Sequence, residues 1–215
     1  MTTRQPPRSS SPRRDELLER AYRYALEHGL ADLSLRPLAA AIGSSPRVLL
    51  FLFGSKEGLV RELLAKARAD ELGYLATDGA ADGQGLEAMV AATWSWLAAE
   101  QVRPLLTLWT EAYGRSLVEP DGPWSGWASK SVADWLEVLA AAQPPNEADD
   151  RDAVSDGPER AADRTLALAV LRGCLLDLLA TGDTERVGAA VGRYLRLAAR
   201  ERAARDAERY REACD

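Results

Sequence analysis

Apolar residues recur at three- and four-residue spacing along most of this 215-residue chain, and no stretch alternates apolar and polar positions as a half-buried strand does. Between Arg13 and His28 the residues Leu17, Leu18, Ala21, Tyr22, Ala25 and Leu26 trace one helical face, and Gly29 follows as a stop. Three helix starts then crowd into residues 33–64. Ser34 is placed to cap a helix over Leu35 to Ile42 that Gly43 ends, Ser45 to cap a second with Pro46 at its first position, and Ser55 to cap a third. That third helix meets no breaker between Gly58 and Gly73, so it can span roughly 27 Å at 1.5 Å per residue. Further helices are expected at about Leu86–Gln101, Pro104–Val118, Trp124–Ala142, Glu159–Ala180 and Thr184–Glu212. The fold predicted is all-α.

Glycine- and acid-rich residues 78–85 and proline- and acid-rich residues 143–158 read as connecting loops, the second expected to be mobile. Residues 1–12 read as a disordered basic arm in which Arg4 and Arg8, with Arg13 and Arg14 beyond it, are available to follow a DNA groove. The division expected is this arm, a small helical head over 13–58, and a larger helical domain over 59–215.

Charge sharpens that division. The chain carries −6 overall, yet residues 1–68 hold 12 Lys and Arg against 7 Asp and Glu, while the remainder holds 15 against 26. A basic head on an acidic body puts any polyanion at the head. The two cysteines, Cys174 and Cys214, form no disulfide framework or metal-ligand spacing, and the start of the chain has no apolar signal core. The most apolar run, residues 165–181, is broken by Arg172 and Asp177, so no membrane span is expected, and a cytoplasmic location follows as the default.

Two short helices joined by a glycine turn are the signature of a helix-turn-helix, whose second helix enters the major groove with its N-terminal residues at the base edges. Ser45, Pro46, Arg47 and Val48 are therefore the candidates for reading bases. The Arg47 fork matches guanine O6 and N7, and Val48 matches a thymine methyl. Ser34, Arg36, Ser44 and Lys56 lie near helix starts, where backbone N–H groups and positive side chains suit phosphate oxygens. The run Leu49-Leu50-Phe51-Leu52-Phe53 is more apolar than a short exposed helix turns to water. Phe53 is assigned to the core, while Leu50 or Phe51 is left to face either DNA sugars or a partner protein.

These residues, over Arg13 to Leu64, resemble the TetR family of bacterial transcription regulators, most specifically in Phe53-Gly54-Ser55-Lys56-Glu57-Gly58-Leu59, which is similar to the family's opening of its fourth helix. A looser resemblance covers Ala167 to Leu195. The resemblance implies a homodimeric, ligand-responsive regulator on a palindromic double-stranded DNA operator, more commonly a repressor, with its dimer made by the last two helices and an inducer held among the middle ones. One feature departs from the family. Many members carry a phosphate-gripping Tyr near the end of the recognition helix, where this chain reads Leu49 to Phe53, so either Arg47, Arg36 and the arm supply the grip or DNA binding is weakened.

Six tryptophans fall within the three middle helical regions, and Trp94, Trp109, Thr110, Tyr113, Trp127 and Trp135 are the candidates for a small apolar or amphipathic ligand. Thr93, Thr107 and Glu111 are polar neighbours able to orient it. Leu171, Leu175, Leu178, Val187, Val191 and Leu195 form apolar stripes on the last two helices, wide enough for a core face and a partner. Gly188 and Gly192 lie four apart, and each costs about 1 kcal/mol of helix stability relative to Ala, which points to close helix approach. A four-helix dimer bundle and simple intrachain packing both explain it.

An enzyme is not expected. The single histidine, His28, sits at a helix C-terminus where its charge suits the dipole, and no nucleophile elbow, phosphate loop, metal cluster or cofactor motif occurs. No metal or cofactor is implied. The remaining alternative is a protein-interaction module of the same fold with weak or lost DNA binding.

Overall fold

Ser11 accepts a hydrogen bond from the Arg14 N–H at 3.2 Å and Pro12 takes the first position, so helix α1 (Pro12–His28) starts where its N-terminal donors are satisfied. The computed structural model describes residues 11–30, 32–74, 85–143 and 157–214. Among them are eight further α-helices and one short 3-10 turn at Glu100–Val102, with no strand. The helices are α2 (Leu35–Ala41), α3 (Pro46–Phe53), α4 (Lys56–Tyr74), α5 (Leu86–Leu97), α6 (Arg103–Val118), α7 (Trp127–Ala142), α8 (Pro158–Thr181) and α9 (Thr184–Cys214). The all-α expectation holds. Residues 1–10 of the basic arm, residues 78–84 and residues 144–156 lie outside the described residues.

The chain divides into two compact units, one of residues 1–70 and 107–127, the other of residues 71–106 and 128–215. The first therefore joins the head to α6 from Thr107 onward. Its core is Leu17, Ala21, Tyr22 and Ala25 of α1 with Leu30, Leu38, Leu49, Leu59 and Leu63. Arg14 donates to Glu62 at 2.7 Å and stands 5.1 Å over the Phe53 ring, which ties α1 to α4 and to the end of α3. Lys66 reaches Glu19 at 3.0 Å and lies 5.0 Å over the Tyr22 ring.

In the second unit α5 packs on α8 and α9, and α8 on α9. Met89, Val90, Leu168, Leu171, Leu175, Leu178, Val187 and Val191 fill that interface. Gly182, at φ +69°, lets α8 end in a left-handed turn, and Arg186 grips Asp177 with both guanidinium arms, at 2.7 and 3.0 Å, and Asp183 at 3.3 Å. In the same unit Trp135 donates its indole N–H to Glu71 at 2.6 Å, with both residues buried.

Candidate nucleic-acid interface

Between Ala41 and Pro46 the chain turns by 102°, within the range of helix-turn-helix pairs. Gly43 supplies the turn with a φ of +68°, and Ser44 N–H closes it onto Ala39 C=O at 2.8 Å. Ser45 accepts from the Val48 N–H at 3.3 Å and Ser55 from the Gly58 N–H at 2.9 Å, so both cap their helices as the sequence indicates. Ser34 differs. It stands at the N-cap of α2, but its side chain makes no capping bond.

Helix α3 resolves the apolar run that the sequence left open. At 100° per residue Leu49 and Phe53 share the inner face and are buried, Leu52 is half-buried, and Arg47 and Phe51 fall on the opposite, outer side. Phe51 is 75% exposed, Leu50 42% and Val48 40%. Arg47 is exposed beside them and Pro46 is half-buried.

The arginines of α1, with Lys66 of α4, are committed to acids of the same unit. Arg13 and Arg20 hold Glu16, Arg23 and Lys66 hold Glu19, and Arg14 holds Glu62. Glu16 is accordingly held below the ordinary carboxylate range, first by its hydrogen bond from Arg13 and then by the Arg20 charge. Arg36 and Arg47 are exposed and make no salt bridge among the described residues. Lys56 is exposed beside Glu57, whose carboxyl is lowered by its own backbone N–H and by the Ser55 hydroxyl. Ser34 is exposed, but the Ser44 hydroxyl is buried and has no hydrogen-bond partner. That burial removes Ser44 from the phosphate-facing set expected from sequence.

The motif after α3 has a steric explanation that spacing alone did not supply. Gly54 adopts φ +81°, and a Cβ on Gly58 would lie 2.2 Å from the Phe53 carbonyl oxygen, so α4 starts against the last turn of α3. The sequence signal was the motif itself.

The aromatic candidates separate. In the first unit Trp109 stacks on Tyr113 with ring centroids 5.0 Å apart and meets Trp127 edge-on at 5.8 Å, while Thr110 is half-buried. Trp94 and Trp135 belong to the other unit. There Trp135 spends its N–H on Glu71, and Trp94 Nε1 lies 3.6 Å from where a Cβ of Gly188 would stand. Thr93 is fully buried and Thr107 exposed. Glu111 is engaged elsewhere than sequence suggested: its Oε2 accepts the Leu30 N–H at 2.9 Å, within the first unit. No pattern in the sequence marked that bond, which joins residues 81 apart.

The stripes read as a dimer face are mostly core of this chain. Leu171, Leu175, Leu178, Val187 and Val191 are buried within the subunit, Gly188 packs toward Trp94, and Gly192 and Leu195 are half-buried. The large apolar side chains exposed on these helices are Leu166, Leu176, Leu197 and Tyr210. Among the described residues no three His, Cys, Asp or Glu gather as a metal site, and no single helix is long and apolar enough to cross a membrane.

Residues 17–63 match the family model described as bacterial regulatory proteins, tetR family. No curated protein sequence matches the chain. Among solved structures it resembles a candidate TetR-family transcriptional regulator from Rhodococcus sp. (18% identity, TM-score 0.67, covering 87% of this chain and 98% of that one). It also resembles the multidrug binding protein EbrR complexed with imidazole (23%, 0.61, 89% and 96%) and a TetR transcription regulator from Haloarcula marismortui (19%, 0.63, 85% and 94%). Such identities speak to the fold. Over residues 17–63 the head of this chain is similar to the tetR family of bacterial regulatory proteins, and the chain as a whole has the fold of the solved TetR regulators.

Proposed function

We propose that the chain is a ligand-responsive repressor, a homodimer that holds a palindromic operator and is released by a small apolar or amphipathic molecule. The observation that carries the DNA half is the contrast among the head's cations. Those on α1 are paired with acids, whereas Arg36 and Arg47 point outward from the helix-turn-helix without salt bridges among the described residues. Arg47, Val48 and Ser45 read bases in this account, while Arg36, Ser34 and Lys56 position the head on phosphates.

For the dimer, α8 offers an outward stripe of Leu166, Ala169, Gly173, Leu176 and Ala180, all exposed in the single chain. Small residues between two leucines admit a partner helix at close range, and a two-fold pairing sets two α3 helices about one DNA turn or somewhat more apart.

The ligand half draws on the Trp109, Tyr113 and Trp127 cluster with Thr110 beside it, and on EbrR, which is solved with imidazole and with proflavin. A ligand that fits one conformation better biases the separation of the heads, with α4 as the lever. A regulator of this kind works in the cytoplasm.

Footprinting of promoter fragments, including the chain's own, across a salt series tests the DNA half. Protection that falls steeply with salt is expected, and its absence from every fragment refutes the reading. The protein-interaction alternative draws its support from the exposure of Phe51 and Leu50. An operator whose binding is lost in Arg47→Ala decides for the regulator; an unaltered protein with no operator binding to lose decides for the alternative.

A further inference from the structure

We propose that Phe51 reads sequence by packing on a thymine C5-methyl group in the major groove, about two base pairs from the guanine met by Arg47. The inference rests on the DNA-binding reading above and adds a base contact to it. Phe51 is the most exposed large apolar side chain among the described residues, at 75%. The head does not need it for its core, because Leu49 and Phe53 already cover the inner face of α3.

Four residues of helix rotate by about 400°, so Phe51 projects within about 40° of Arg47 and about 6 Å further along the axis. A duplex rises about 3.4 Å per base pair, which makes that step roughly two base pairs. The ring has no hydrogen-bonding atom and cannot hold a phosphate. What the major groove offers to apolar surface is the thymine methyl. Val48 and Leu50, both exposed, flank the ring and extend the apolar strip that expels water around such a contact. Exposed Arg47, on the same side of α3, commits that face to a polyanion rather than to an apolar partner.

The test selects duplexes from a random pool with the full chain, then replaces single thymines by uracil, which removes the methyl and nothing else. Selected sites are expected to share a guanine with a thymine about two pairs away. Uracil at that thymine is expected to weaken binding about fourfold, the worth of one methyl group taken out of water. Phe51→Ala is expected to bind thymine and uracil sites equally, and Phe51→Leu to keep part of the difference, with helix content by circular dichroism unchanged in both. Sequence-specific binding that ignores uracil in the unaltered protein overturns the role of Phe51 and leaves the regulator reading intact. Loss of self-association in Phe51→Ala with no thymine preference also overturns it, making the ring a protein contact. A pool that yields no salt-dependent binding refutes the regulator reading itself.

Discussion

Leu30 donates its backbone N–H to Glu111 Oε2 at 2.9 Å, so a side chain of α6 holds the link between α1 and α2 in the same compact unit. The donor follows Gly29, whose φ of +77° turns the chain at the end of α1, and the other carboxylate oxygen is buried without a partner. Removing the acceptor strands a part-buried N–H, at about 1–3 kcal/mol. Glu111→Ala is expected to lower the melting temperature by several degrees, whereas Glu111→Gln, which keeps a carbonyl acceptor, stays near the parent. Equal melting of the two variants would deny the bond any structural role.

In the proposed reading the two outward arginines differ by kind of contact. Arg47→Ala is expected to cost about 1–3 kcal/mol on the preferred operator and to relax the choice of base at one position. Arg36→Ala should weaken all sequences alike and reduce the slope of log affinity against log salt by about one. Fluorescence anisotropy on matched and scrambled duplexes over a salt series distinguishes them.

At Gly58 a methyl group has no room, since the obstacle is the Phe53 carbonyl oxygen at 2.2 Å, a backbone atom that moves only with α3. Gly58→Ala is expected to destabilise the head by about 1–3 kcal/mol, despite the higher helix propensity of alanine. Thermal unfolding followed by circular dichroism measures it, and a stabilised variant would contradict the geometry.

Gly188, read from sequence as part of the dimer face, lies toward Trp94 of its own chain, whereas Leu176, to which the sequence reading assigned no role, is exposed. Gly188→Leu meets Trp94 of its own chain and is expected to lower stability, while Leu176→Glu places a charge on the exposed stripe of α8 and is expected to yield monomers of unchanged stability. Sedimentation equilibrium paired with melting reads both. A Gly188→Leu protein that is stable and monomeric would return the dimer face to the inner stripe.

The turn between α8 and α9 responds to acid through Asp177, whose pKa is lowered first by its hydrogen bond from Arg186 and then by that charge. A carboxyl depressed in the folded state adds stability above its unfolded pKa, near 3.9, and loses it as pH falls through the lower folded value. Asp177→Asn should therefore melt below the parent at neutral pH, with the gap closing as pH falls through the lowered folded-state value. Because the pair is exposed, added salt should narrow the gap as well.

Helix order and ends were legible because their determinants are local. Ser45, Pro46, Gly29, Gly43 and Gly182 act on their own backbone, and the structure finds helix ends within a few residues of where such signals stand. Facing was legible only in part. Periodicity grouped Leu171 with Leu175 and Leu178, but could not say that the partner of this stripe is α5 or α9 of the same chain. The aromatic set dispersed for the same reason: Trp109, Tyr113 and Trp127 meet in three dimensions, whereas Trp135 turned to Glu71, a carboxylate 64 residues away. Contacts of that separation, like Glu111 with Leu30, leave no local spacing to read.

The close approach of Phe53 and Gly58 also fixes what can stand at that joint. With no space for a methyl there, the backbones of α3 and α4 meet without a side chain between them, and any larger residue at 58 must part them.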